Sequence, residues 1–524
     1  MAKNKKYNRQ SEFLFQDAEF LSVFAKEAGA LQDYPEEKLH IGWELILLNQ
    51  FHDILPGTSI KKVYEDSHRQ YEEVLRSGYE MVSAAASGIA SMITSDCNSL
   101  VVFNQLSFTR SDMLVFESEK NISALDAGDG ELTPVQKTGD NSYTAFVGGI
   151  PSKGYKTFSF VESGSPADKR VFTYSNGKLE TPFYSVLFDD QGHITSLFDK
   201  EEERELTRKG CRLNQLQAFE DKPHNYDAWD INIYYQDKMW TVNDLISREV
   251  IENGPLRFCL KITREFMDSS IEQKIVFYKE KRRIDFDNKI DWKENHILLK
   301  AAFPLDIHAS KATYEIQYGN VERSTHSNTS WDVAQFEVCS HKWADLSEGN
   351  YGVSLLNDCK YGYDIKDGTM RLSLIKSAIE PNPDADKEIH EFTYSLYPHR
   401  GQWQDARTVQ EAYSLNCPLY SEEIAVQRGT LGREECFASV DRDNILIEVI
   451  KKAEDRDEII IRLYECYNRR TNTDITFAQS IESLCECDLH ENKGEELWFD
   501  GKIARLSFKP YEIKTLNLKL SGGV

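Results

Sequence analysis

At 524 residues the chain exceeds what one hydrophobic core usually organises, so about two to four domains are expected. Its 40% hydrophobic and 28% charged residues are those of a globular protein with a sizeable core, which excludes disorder as the default. A formal net charge of -24, from 86 acidic against 62 basic side chains, repels phosphate backbones and anionic lipid, so nucleic acid and membrane surfaces are excluded as expected partners.

The first ninety-odd residues carry helical periodicity. Phe13, Asp17, Phe20, Leu21 and Phe24, flanked by Leu14, mark a first helix that Gly29 and Asp33-Tyr34-Pro35 end. Pro35 fits the first turn of a second helix with the stripe Leu39, Trp43, Ile46, Leu47 and Gln50, stopped by Pro56-Gly57. Thr58 or Ser59 is placed to cap a third helix, along which Val63, Tyr71, Val74, Leu75, Tyr79, Val82, Ile89 and Met92 recur. Three helices with short connections predict an antiparallel bundle.

From Leu100 the period becomes two. Short alternating segments such as 99–103, 143–147, 183–188 and 271–278 are separated by turn signals at Asn176-Gly177, Asp367-Gly368 and Asp500-Gly501. Ser163-Gly164-Ser165-Pro166 has linker composition. The expected fold class is therefore α+β multidomain, a three-helix bundle followed by antiparallel β-sandwich domains. The boundaries fall at 1–96 for the bundle, 97–165 for a small β domain, 166–415 for a large β domain and 416–524 for a last sandwich. Ten dispersed cysteines read as free thiols of a reducing compartment, and Cys485 and Cys487, two apart, read as packing residues. No signal peptide follows Met1 and no run of about eighteen apolar residues occurs, so a cytoplasmic location is expected.

The segment with most chemical content is Asn49-Gln50-Phe51-His52-Asp53-Ile54-Leu55-Pro56-Gly57-Thr58-Ser59, where a helix gives way to a turn. His52 offers an imidazole nitrogen to a borderline metal such as zinc, and Asp53 can accept hydrogen bonds from hydroxyls or support a ligand. The same residues also suit ordinary helix-end roles, a histidine on the last carbonyls and an aspartate in a turn.

This string resembles the His-Asp helix-end motif of glycoside hydrolase family 38, the α-mannosidases. Further segments resemble the family in the same order. They include Phe219-Glu220-Asp221-Lys222-Pro223, Tyr226-Asp227-Ala228-Trp229-Asp230, Trp343-Ala344-Asp345-Leu346-Ser347 and Leu356-Asn357-Asp358-Cys359-Lys360-Tyr361-Gly362-Tyr363. Tyr394-Ser395-Leu396-Tyr397-Pro398-His399 and Pro510-Tyr511-Glu512-Ile513-Lys514-Thr515-Leu516 close the series. One departure lies at Glu388, where the family usually has glycine.

The resemblance implies a galactose-mutarotase-like supersandwich for the large β domain. It implies a retaining hydrolysis of terminal α-linked mannose from oligosaccharides, with one carboxylate as nucleophile and another as acid and base. It also implies a zinc ion held by two histidines and two aspartates. His52 matches the histidine ligand of the helical domain, and Asp53 matches the aspartate that meets substrate hydroxyls. Asp227, Trp229 and Asp230 are the candidates for further sugar contacts, with Tyr361 and His390 behind them. The family's His-x-Asp pair and its nucleophile belong to an amino-terminal barrel domain, and neither is found here. The expectation is a carboxyl-terminal portion without catalytic residues, inactive and unable to retain zinc by itself. Its partners would be that barrel domain or further copies of the chain. The competing reading is a non-catalytic carbohydrate-binding or assembly subunit paired with a separate barrel chain.

Overall fold

The computed structural model describes residues 1–162 and 171–521, so the expected linker at Ser163 to Pro166 lies outside the described residues. Three long helices come first, α1 (Ala2–Glu27), α2 (Glu36–Asn49) and α3 (Lys61–Ser91), and antiparallel sheets follow. The α1 end is closed as the glycine signal predicts: Gly29 takes φ +73° and Ala30 N donates to Ala25 O at 2.7 Å.

Two helix limits differ from the periodicity. α2 stops at Asn49, well before Pro56, because Gln50 and Phe51 N–H groups turn back to Leu47 O and Leu48 O and begin a run of tight turns. α3 starts at Lys61, because Thr58 and Ser59 are engaged elsewhere. The Thr58 hydroxyl donates to Asp53 Oδ1 at 2.9 Å, and Ser59 N donates to the Tyr64 hydroxyl at 2.9 Å. Leu47 and Tyr79, both on predicted apolar stripes, are exposed.

The described residues form two compact units. One takes in Met1–Gln10, Leu47–Tyr71 and the described part of Asp168–Asn416; the other takes in Ser11–Ile46 and the described parts of Glu72–Ala167 and Cys417–Val524. In the second unit Phe15, Phe20 and Phe24 of α1 and Val82 and Ile89 of α3 share one core with Phe103, Tyr155, Ile447 and Ile461 from strands. Helices approach closely where side chains vanish: a Cβ on Gly78 would stand 2.6 Å from Leu14 Cδ2. Strand 99–104, wholly buried, pairs with strands 154–161 and 420–424 in an eight-stranded sheet. Sheets of four and five strands from residues 438–520 form a sandwich around Ile450, Leu463, Phe477, Leu506 and Leu516.

That core encloses carboxylates. Glu19, 6% exposed, accepts from Trp43 Nε1 at 2.9 Å. Burial lifts its pKa from the ordinary 4.5 to about 7, with Trp43 and Lys451 working the other way. The folded pKa exceeds the unfolded one, so the associated stability is complete below pH 4.5 and is lost as pH rises through about 7. Glu19→Gln keeps the acceptor and removes the ionisation. In urea titrations the variant is expected to gain up to about 3 kcal/mol over wild type at pH 8 and nothing at pH 4.

In the first unit, five-, six- and nine-stranded sheets enclose one core. The six-stranded sheet runs 239–241, 215–220, 297–304, 369–376, 362–366 and 338–339. Leu216, Ala218, Leu299, Ala301, Phe303 and Leu372 point into the core. Alternation sends Gln217, Lys300, Ser373, Asp364 and Arg371 to the opposite face. The nine-stranded sheet begins at strand 244–253, an edge interrupted by register shifts between Leu245 and Ser247 and between Val250 and Glu252, with Ile246, Val250 and Ile251 exposed. All ten cysteines are free thiols. Cys485 and Cys487 are buried on strand 481–487, and Cys487 packs on Ala453 and Ile460, in keeping with a packing role. Among the described residues no helix is long and apolar enough to cross a membrane.

Candidate active-site face

The segment between α2 and α3 is a locked turn. Ile54 N donates to Phe51 O at 2.9 Å, and Thr58 N donates to Asp53 O at 3.2 Å. Lys5 Nζ donates to Leu55 O at 3.0 Å and to Pro56 O at 3.3 Å. Burial lowers the Lys5 pKa to about 8 while Asp386 pulls it back up. Gly57 takes φ +101°, and a Cβ there would lie 2.6 Å from Met1 Cβ, so this position needs glycine on both counts.

The lock fixes the direction of what it carries. The His52 side chain is 69% exposed, its Nε2 3.2 Å from Asp53 Oδ2 and its ring centroid 4.3 Å from that of Phe51. Asp53 is further held by the Thr58 hydroxyl. Leu47, Leu48, Phe51 and Ile60 are each more than half exposed around it. An imidazole, a carboxylate and an apolar surround thus stand outward on rigid backbone.

Asp227, Trp229 and Asp230 occupy a second turn, in which Trp229 N and Asp230 N donate to Tyr226 O at 2.8 and 2.9 Å. Trp229 is 64% exposed and Asp230 is exposed. Asp227 instead faces inward. Its Oδ2 accepts from Ile379 N at 2.6 Å and Glu380 N at 3.3 Å, and its Oδ1 lies 3.4 Å from His296 Nδ1. Among the described residues no hydrogen bond, ion pair or ring contact joins the 226–230 turn directly to His52 or Asp53. The stretch 379–390 spans between the two regions. Asp227 holds its start; further on, Asp384 Oδ2 accepts from Lys61 Nζ at 2.7 Å and Asp386 Oδ1 from Ala2 N at 2.8 Å. Tyr361 lies under the Arg9 guanidinium, 5.0 Å from the ring centroid, and edge-on to His341. His390 is buried, with Nε2 2.8 Å from Asp386 O, and burial holds its pKa below the usual histidine value despite Asp386.

Zinc needs three or four protein ligands. His52 has Asp53 beside it and, among the described residues, no further histidine or thiolate ligand in contact. Asp386, Glu388 and His390 are the one group of three metal-capable side chains among the described residues, but protein donors already serve it. Asp386 Oδ1 accepts from Ala2 N at 2.8 Å and Glu388 lies 2.9 Å from Lys3 Nζ. The residues present do not fit the four-ligand site that the resemblance implies. At the family's glycine position, Glu388 keeps negative φ; the left-handed residue of that stretch is Asp386, at φ +57°.

A polar network on the six-stranded sheet went unread in the sequence. Lys300 Nζ, fully buried, contacts both Glu337 and Asp364. Tyr235 donates its hydroxyl to Glu337 at 2.7 Å, and Arg371 Nη1 donates to Asp364 at 2.6 Å. Asp364 is held below the usual range: burial opposes ionisation, but Lys300 and Arg371 outweigh it. Glu337 rises to about 7, because burial and the neighbouring Asp364 outweigh its share of Lys300. The readable signal was a lysine inside the apolar run Leu298-Leu299-Lys300-Ala301-Ala302.

Three family models match the chain. They are the alpha mannosidase middle domain over residues 1–89, the glycosyl hydrolases family 38 C-terminal domain over 179–384, and the glycosyl hydrolases family 38 C-terminal beta sandwich domain over 444–516. Alpha-mannosidase G of Dictyostelium discoideum is 32% identical over 98% of this chain and 51% of its own length. Human Alpha-mannosidase 2C1 is 32% identical over 99% of this chain and 49% of its own length. The chain therefore spans about half the length of the curated relatives it matches. An alpha-mannosidase from Enterococcus faecalis V583 has the same fold, with a TM-score of 0.84 at 16% identity, covering 99% of this chain and 67% of that one.

Proposed function

The chain belongs to glycoside hydrolase family 38, and from that premise we propose that it supplies the carboxyl-terminal half of a retaining, metal-dependent α-mannosidase. Terminal α-linked mannose of oligosaccharides is the proposed substrate. The observation that carries this reading is His52. It stands on a turn locked by Thr58, Tyr64 and Lys5, faces outward, and is ringed by exposed Leu47, Leu48, Phe51 and Ile60. An apolar surround of that kind marks a surface that another surface covers. A rigid, outward imidazole suits a site whose other walls come from polypeptide beyond these 524 residues.

In this reading His52 is one nitrogen ligand of a metal completed elsewhere, and Asp53 accepts hydrogen bonds from mannose hydroxyls. Trp229 offers an exposed indole face to a pyranose, and Asp230 a carboxylate to its hydroxyls. Asp227 acts through the 379–380 backbone that it holds in place. The nucleophile and the acid/base carboxyl belong to the completing polypeptide, so this chain's residues bind and orient and transfer no proton.

The test is direct. The purified 524-residue polypeptide, dialysed against micromolar zinc, is expected to retain no stoichiometric metal and to release no phenol from an aryl α-mannoside. Turnover by this polypeptide free of other chains, abolished by a chelator, would overturn the proposal.

A further inference from the structure

We propose that His296 is a positioning residue for the proposed sugar contacts: its imidazole, through Asp227, fixes the turn that presents Trp229 and Asp230 against the backbone at 379–380. The proposal rests on the reading of Trp229 and Asp230 as sugar contacts.

Three segments of the first unit meet at His296. Its N–H donates to Ser377 O at 2.7 Å, at the entrance to the 379–390 stretch. Its carbonyl accepts from Asp221 N at 2.8 Å, where strand 215–220 gives way to the segment that carries the 226–230 turn. Its side chain, 25% exposed, reaches Asp227 in that turn. The backbone of His296 stands at φ +53°, left-handed and strained for a residue with a β-carbon. Such strain persists only where the surroundings hold the residue, and it clusters at functional positions.

The imidazole and the carboxylate depend on each other. Asp227 Oδ1 and His296 Nδ1 are both buried atoms, neither has a hydrogen-bond partner among the described residues, and they stand 3.4 Å apart. An ionised carboxylate only accepts, so a bare Nδ1 would set two lone pairs face to face. A proton on Nδ1 gives both atoms a partner. The Lys376 ammonium close by is engaged by Asp221 Oδ2. Asp227 Oδ2 meanwhile holds the amides of Ile379 and Glu380 at 2.6 and 3.3 Å. With both oxygens held, the carboxylate cannot swing. Trp229 N and Asp230 N donate to Tyr226 O, next to Asp227, so the direction of the exposed indole and carboxylate follows from where Asp227 is pinned. Without the imidazole, one oxygen of that carboxylate would be left unserved and the turn would be free to tilt about the remaining bonds.

Four variants, made in the protein that includes the rest of the proposed site, test this. His296→Asn keeps a donor near the Nδ1 position and tolerates left-handed backbone. His296→Gly relieves the backbone and removes the donor. His296→Gln keeps the bulk but carries its donor one bond too far, and it keeps the test valid if the glycine variant fails to fold. Trp229→Ala removes a sugar contact itself. The glycine, glutamine and Trp229→Ala variants are each expected to raise KM for an α-mannose oligosaccharide about tenfold with kcat within about twofold of wild type, and His296→Asn to stay within about twofold on both. In the 524-residue chain, the amides of Trp229, Asp230 and Ile379 are expected to exchange hydrogen about tenfold faster in His296→Gly, with strand 297–304 unchanged. Wild-type KM in folded His296→Gly and His296→Gln, or a KM in His296→Asn raised as far as theirs, would overturn the proposal and leave the sugar-contact reading standing if Trp229→Ala still raises KM. Wild-type KM in Trp229→Ala would remove both.

Discussion

Replacing Lys300 by methionine is expected to cost about 3–5 kcal/mol of folding stability, the range for removing one partner of a buried ion pair. Lys300 is fully buried on its sheet and shared between Glu337 and Asp364, and its pKa is raised because those carboxylates outweigh its burial. Without it Asp364 keeps Arg371, whose guanidinium is 28% exposed, but among the described residues Glu337 keeps only neutral donors such as the Tyr235 hydroxyl. Glu337 must then take up a proton, so the deficit is expected to be largest at alkaline pH and to shrink in acid. Urea denaturation of Lys300→Met against Lys300→Met/Glu337→Gln measures this. The double variant is expected to recover part of the loss at pH 8. Equal stability of wild type and single variant would show that the cation is dispensable.

The second large effect follows from the proposed function. His52→Ala, made in the protein that includes the rest of the site, is expected to weaken metal binding by more than about 100-fold, since loss of an outer partner alone spans up to that range. Asp53→Asn is expected to raise KM for an aryl α-mannoside while the metal content stays near wild type. Metal analysis after dialysis, set beside kcat and KM, separates the two roles. Activity of His52→Ala that returns at high zinc supports a ligand role; full metal content in that variant would refute it.

Much of the fold was legible because burial and period coincide. Phe20, Leu21 and Phe24 repeat on α1 and are buried, and strand-like alternation after Leu100 delivered the sheets. The misreadings have local causes. Leu47 and Tyr79 keep the helical period but face away from the core, and side-chain pattern alone does not tell an exposed apolar residue from a core one. Pro56-Gly57 is a genuine turn, yet the backbone had already left the helix at Asn49 through i to i+3 bonds that side-chain pattern does not encode.

The site divides in the same way. His52 and Asp53 are adjacent in sequence, so a linear motif could mark them. Asp227 was marked as a possible sugar contact, but its hold on the amides of Ile379 and Glu380 depends on a contact between residues 152 and 153 positions apart. Glu337 carried no signal at all, because only folding brings it onto Lys300, 37 positions away.

The interruptions in strand 244–253 have a consequence for life at high concentration. A straight rim bearing Ile246, Val250 and Ile251 would be a template on which further copies could zip, amide to carbonyl, into growing fibrils. Each extra residue throws the free backbone groups out of line and increases the local twist, so an incoming strand cannot keep step. The kinks therefore act as a guard on colloidal behaviour, letting this border remain oily without becoming adhesive.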